Sequence, residues 1–243
     1  MIRALYTAVS GMMVEARKLD LTSENLYRAQ LPGFKAFRVL RAAQPATVPN
    51  LPTDIQTVFE GQFVDVSAGP LRPTGKDLDL ALEGDGFFVL KTRGGVAYTR
   101  DGRFVRGKEG TVQDSNGNVL QGEEGPLKFP DEAPFDAAVD VETDGTFRVD
   151  GEVIDRIRLR DFPGFRGLQA ASGSLFYTTG AAKPQPSSAK VLQRNIEGAN
   201  VQGVGEMANM MQTIRAFEAY QKVVQTVMDD VTSEAVRRLG RLA

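Results

Sequence analysis

The chain contains no cysteine, no histidine and no tryptophan. Without cysteine there can be no disulfide and no thiolate metal site. Without histidine the commonest general base and metal ligand is missing, so acid–base chemistry would fall to carboxylates, lysine or tyrosine. No apolar run approaches the ~18 residues of a membrane span. Met1–Ser10 lacks the apolar stretch and small-residue cleavage site of a secretory signal. Neither sign of charge dominates: 29 Lys and Arg face 31 Asp and Glu, for a net charge of −2. The charges are mixed along the chain, without the basic stripe that a nucleic-acid partner requires.

What is present is enough for a sizeable core: 243 residues, 42% of them hydrophobic. The two ends read as helix. Near the N-terminus Leu5, Met12, Leu19 and Leu26 recur every seven positions, with Ile2, Val9 and Ala16 between them. This is a heptad seam. Ser10-Gly11 weakens it, yet small residues there would let another helix approach closely. Leu31-Pro32-Gly33-Phe34 ends the segment, because Pro32 disfavours helical geometry at Leu31 and Gly33 permits a turn. From about residue 204 to 240, Met207, Ile214 and Met228 alternate with Met210, Phe217, Val224 and Val231 in a second seam. Ala216, Tyr220, Val223 and Val227 widen its apolar surface beyond what one partner helix covers.

The middle reads as strands and turns. Asp85-Gly86, Asp101-Gly102, Asn116-Gly117, Asp144-Gly145 and Asp150-Gly151 are turn signals. Between them lie Leu78/Leu80/Leu82, Phe87-Phe88-Val89-Leu90 and Ile157/Leu159. These predict a hairpin-rich antiparallel domain over 63–180. Pro45, Pro49 and Pro52 mark 35–62 as an extended connector, and Pro184 and Pro186 mark 181–195 as a return connector. The expected fold is α+β: terminal helices over 1–34 and 196–243 form a coiled-coil-like layer beside the central all-β domain.

Motifs with possible chemistry fail on their own terms. Gly69–Asp77 has Pro70 and Asp77 where a phosphate-binding loop needs a backbone donor and a hydroxyl. Asp114–Asn118 lacks the glycine and glutamate of a calcium loop and reads as a hairpin turn. Glu83, Asp85 and Asp101 sit in or beside turns, where Asp is common for backbone reasons. Lys76, Arg93, Arg100, Arg103 and Arg106 read as solvated strand faces. No cofactor, metal or small-molecule substrate is expected, and no enzymatic activity.

A set of blocks in fixed order resembles the flagellar rod and hook axial protein family. It comprises Ala4–Met12, Thr22–Leu26, Leu31–Lys35, Gly61–Phe63, Gly69–Gly75, Leu78–Phe88, Tyr98–Phe104, Asn195–Val201, Glu206-Met207 and Arg215–Glu218. The short connector and overall length are most like the family's proximal-rod member, with a distal-rod or hook member as the alternative. Asn25–Gln30 and Gly198–Asn200 depart from the usual family wording. The resemblance implies that the terminal helices pack into the inner core of a tube and the β domain forms an outer layer. It also implies export by the flagellar type III apparatus without a cleaved signal, assembly with copies of itself and other rod proteins in the periplasmic rod, and torque transmission to the hook. On this expectation the assembly interface comprises Leu5, Val9, Met12, Leu19 and Leu26 at one end. At the other it comprises Met207, Ile214, Phe217, Val224, Met228 and Val231. The bland alternative is a β-domain binding module dimerised by its terminal helices.

Overall fold

A computed structural model describes residues 2–46, 54–162, 168–171, 173–178 and 183–239. Pro49, Pro52 and residue 240 lie outside them. The fold is α+β, with one helix near each end and a β-rich centre. The chain divides into two compact units: residues 1–27, 37–65 and 202–243 form the first, and 28–36 with 66–201 the second.

In the first unit, α1 runs Ile2–Arg28 without a proline, rich in Ala, Leu, Met, Glu, Lys and Arg. α2 runs Gly203–Leu239, with Glu206 in its first turn, where a carboxylate suits the helix dipole. Its 37 residues make it about 55 Å long at 1.5 Å per residue. Gly11 does admit the other helix. A Cβ there would lie 2.6 Å from Tyr220 Cζ, so the tyrosine ring lies over the gap the glycine leaves. Tyr220 is therefore half-buried, and the stripe it begins does not wholly face water.

β1 (Phe37–Ala46) and β2 (Asp54–Val64) form an antiparallel ribbon, from Phe37 opposite Val64 to Ala46 opposite Asp54. Of the expected extended connector 35–62, residues 37–46 and 54–62 are thus extended but hydrogen-bonded to one another. Pro45 is tolerated because a two-stranded ribbon leaves outer N–H positions without a ladder.

The second unit carries the remaining strands. β3 (Leu71–Pro73), β4 (Leu80–Glu83), β5 (Phe87–Thr92), β6 (Gly95–Thr99), β7 (Val105–Arg106), β8 (Val112–Gln113) and β9 (Val119–Leu120) come first. β10 (Val139–Val141), β11 (Thr146–Val149), β12 (Glu152–Arg156), β13 (Leu159–Asp161), β14 (Leu168–Ala170) and β15 (Leu175–Thr178) follow. β16 (Gln185–Pro186), β17 (Lys190–Gln193) and β18 (Asn195–Glu197) complete the unit. The largest sheet runs β14-β15-β6-β5-β9-β8-β7, with β13 bridging β5 and β16. β10-β11-β12 is a meander, while β17 pairs with β4 and β18 with β3. The 181–195 return stretch therefore supplies ladder strands as well as a connection.

β5 shows why its apolar run is continuous: it is buried on both faces. Phe88 points into the main core, edge-on to Phe104 at 5.3 Å, among Leu80, Leu90, Leu120 and Phe147. Phe87 points the other way, against Phe162 and Phe176 at 5.9 and 5.6 Å. Three of the five expected turns close hairpins: Asn116-Gly117 joins β8 to β9, Asp144-Gly145 joins β10 to β11, and Asp150-Gly151 joins β11 to β12. At the last, Asp150 and Gly151 both take positive φ, as a type I′ turn requires. Asp85-Gly86 and Asp101-Gly102 link strands that pair elsewhere, because β4 pairs with β17 and β7 with β8.

Candidate assembly surfaces and a buried ion cluster

None of the eleven expected interface residues belongs to the buried core. Leu5, Val9, Met12, Leu19 and Leu26 are half-buried on α1. On α2, Phe217 and Val224 are half-buried, while Met207, Ile214, Met228 and Val231 are exposed. Val204, at 84% exposure, and Met211 lengthen that open apolar face. The face of α1 that is fully covered is different: Ala8, Gly11, Val14, Glu15, Leu21, Thr22 and Asn25. Small and polar residues make up five of these seven, so hydrophobic spacing alone points to the neighbouring, wetter face.

Two polar contacts organise this unit, and neither was visible as a seam. Asn25 clasps the first residue of β1: its Oδ1 accepts the Phe37 N–H at 2.8 Å and its Nδ2 donates to the Phe37 carbonyl at 2.9 Å. The amide thus completes the pairing a third strand would give. Arg38 donates to buried Glu206 at 2.6 Å and lies 3.8 Å from Asp65. A cavity of about 180 Å3 lies among Lys18, Asn25, Phe37, Arg38, Glu206 and Asn209.

The second unit is built around a buried carboxylate. Glu197 Oε1 accepts Lys35 Nζ at 2.6 Å and the Gly69 N–H at 2.8 Å. Its Oε2 accepts an Arg100 Nη at 3.1 Å. Lys35, Arg100 and Glu197 are 0%, 3% and 1% exposed. Burial of unpaired charge costs several kcal/mol, so all three are held by further bonds. Lys35 also donates to the Ser67 carbonyl at 2.6 Å and Arg100 to the Gly84 carbonyl at 2.6 Å. The Arg100 guanidinium lies 5.5 Å from the Phe87 ring centroid, within cation–π reach. Around them the backbone is locked. The Gly33 N–H donates to the Glu197 carbonyl at 2.8 Å, and the Ala36 N–H donates to Asn200 Oδ1 at 2.8 Å. Gly33 has φ +66°, and a Cβ there would lie 2.2 Å from the Asp101 nitrogen, so only glycine fits.

Arg100 thus corrects the reading of the basic residues as solvated. Its strand position after β6 turns it inward, toward a carboxylate contributed from 97 residues away. Arg106 departs from it too, lying 4.3 Å over Phe129 and donating to the Ala133 carbonyl at 2.9 Å. Arg103 forks onto Asp101 at 3.0 and 2.7 Å. Within Gly69–Asp77, Leu71–Pro73 is β3, paired with β18 rather than shaped for phosphate. Asp114 accepts the N–H groups of Asn116 and Asn118 at 2.8 Å each and so shapes a hairpin turn.

Among the described residues, no cluster of three or more His, Cys, Asp or Glu could hold a metal ion, and no helix is long and apolar enough to cross a membrane. The Lys35–Glu197–Arg100 cluster joins four of the ordered sequence blocks: Leu31–Lys35, Gly69–Gly75, Tyr98–Phe104 and Asn195–Val201. The blocks were legible as blocks; that charged members of three of them meet was not.

A family model for the flagellar hook protein FlgE/F/G D1 domain matches residues 81–149. One for the flagellar basal body rod FlgEFG protein C-terminal region matches 192–233. The chain is similar to the flagellar basal-body rod protein FlgF of Caulobacter vibrioides, 32% identical over 248 residues with 100% of each chain covered. It is similar to FlgF of Escherichia coli, 28% identical over 95% of this chain and 96% of that one. It is also similar to the rod protein FlgG of Bacillus subtilis, 28% identical over 97% of this chain and 98% of that one.

Proposed function

The chain belongs to the flagellar basal-body rod protein family, and from that premise we propose that it is a structural subunit of the rod, most like FlgF, the proximal-rod member. Its place is the basal body, and its partners are other rod components. We take the rod segment to be the periplasmic one, reached through the flagellar type III export apparatus without a cleaved signal, and the role to be mechanical rather than enzymatic. The subunit polymerises with its neighbours through α1 and α2 and passes torque from motor to hook.

The observation that carries this reading is the open apolar face of α2, where Val204, Met207, Met211, Ile214, Met228 and Val231 are exposed in the single chain. Burying each such side chain contributes about 1.5–3 kcal/mol before entropy costs. Leu5, Val9, Met12, Leu19 and Leu26 on α1, with Phe217 and Val224 on α2, are half-buried and have further area to lose. Contacts must be heterologous and non-closing, since a closed two-fold dimer cannot grow into a rod.

Replacing Met12 or Val224 by Asp is expected to abolish rod assembly and swimming while the β unit keeps its protease resistance. Full swimming in both variants would overturn the proposal. The similarity to FlgG favours a second reading, another rod or hook position of the same family. Imaging a labelled subunit within basal bodies separates the two positions. A discrete, stable dimer in sedimentation would instead favour a β-domain module paired by its helices.

A further inference from the structure

The terminal helices are not the sole sticky feature of the chain. Phe135 is 87% exposed, the most exposed large apolar side chain among the described residues. It does not sit on a loose loop. Arg106 donates to the carbonyls of Pro134 and Ala133 at 2.5 and 2.9 Å, and its guanidinium lies between Phe129 at 4.3 Å and Phe135 at 5.9 Å. The Ala137 N–H donates back to the Pro134 carbonyl, and Ala138 is tied to Asp150. An aromatic ring held out on a braced loop loses little freedom on docking, which is the character of an interface anchor. Residues 131–136, Asp-Glu-Ala-Pro-Phe-Asp, carry three carboxylates; Asp131 is bridged to Lys128 at 2.5 Å, and Glu132 and Asp136 flank the ring beside it.

The same unit holds a complementary concavity. A pocket of about 470 Å3 has Ile157, Leu159, Pro186 and Ala189 among its lining residues. Arg156, Arg160 and Lys190 line it against Glu123 and Asp144, leaving one positive charge in excess. Phe135 of the same chain is not among the lining residues.

We propose that Phe135 of one copy seats in the Ile157/Leu159/Pro186 pocket of the next, with Glu132 and Asp136 facing Arg156, Arg160 and Lys190. Two different patches meet, so the contact is heterologous and propagates. It adds a subunit joint in the β unit that is independent of the helix faces.

The cysteine-free sequence makes the test clean. Full-length Asp136→Cys chains are mixed with full-length Ser188→Cys chains carrying a size tag, and disulfides between the two are quantified after mild oxidation. The hetero-disulfide is expected to form, and to fall by roughly tenfold or more when Phe135→Ala is added, the loss typical of an anchor truncation. An Asn116→Cys chain, whose cysteine lies in a different hollow, is expected to give only background. Val224→Asp in both chains is expected to leave the yield unchanged, which separates this joint from the helix-borne assembly. No hetero-disulfide, a yield indifferent to Phe135→Ala, or equal yield at position 116 would each overturn the proposal.

Discussion

At the scale of single residues, Glu197 serves two cations that have lost their water. Removing it strands both, and breaking a buried pair in this way costs about 3–5 kcal/mol. Glu197→Ala is therefore expected to reduce the unfolding free energy of the β unit by that much, seen as a lower urea midpoint at unchanged slope and read by fluorescence of tyrosines within it. Asp144 works in the opposite setting, at an exposed turn. Its carboxylate accepts the Thr146 N–H and hydroxyl, each at 3.0 Å, and these bonds, the backbone one foremost, hold its pKa below the ordinary carboxylate range. A folded-state value below the unfolded one means the stabilisation is complete above the ordinary carboxylate pKa. It is lost as pH falls through the depressed value. Asp144→Asn is expected to reduce the difference in stability between neutral pH and about pH 3, compared by thermal unfolding. Residue types told little of this in advance. Asp144 was readable as a turn residue because its partners are local. Lys35 and Arg100 were not readable as buried, because the carboxylate that makes their burial tolerable arrives 162 and 97 residues away.

At the scale of elements, what was legible followed from local chemistry. α1 ends at Arg28, just before the Leu31-Pro32-Gly33 stop, and β5 is the strand that Phe87-Phe88-Val89-Leu90 announces. The ribbon β1–β2 was hidden. Its prolines argue against helix but are silent on which partner an extended segment takes. One amide holds its first residue, since Asn25 supplies both bonds to Phe37. Asn25→Ala leaves the buried Phe37 N–H and carbonyl without that partner, at about 1–3 kcal/mol. Amide exchange at Phe37 is expected to quicken by an order of magnitude or more, with exchange in β5 unchanged. The helix faces were half legible. The heptad positions are apolar as the spacing says, but α1 turns Ala8, Gly11, Thr22 and Asn25 inward, residues whose burial depends on close approach and hydrogen bonding rather than on hydrophobicity.

At the scale of the whole molecule, two units share one chain, and the second begins and ends at the same cluster: Gly33 and Lys35 enter it, Glu197 and Asn200 leave it. Denaturation is expected to show two transitions, with Glu197→Ala displacing only the one that follows the β unit; a single shared transition displaced as a whole would contradict this. A chain delivered from its N-terminus, by a ribosome or through a narrow conduit, presents Lys35 and Arg100 long before Glu197 emerges. Until then both cations are better off hydrated, and the strands that would enclose them gain no counter-charge by closing. The last fifth of the chain thereby acts as a latch on the rest. A premature stop anywhere before it leaves a product that stays open, recognisable to proteases and unable to pass as finished.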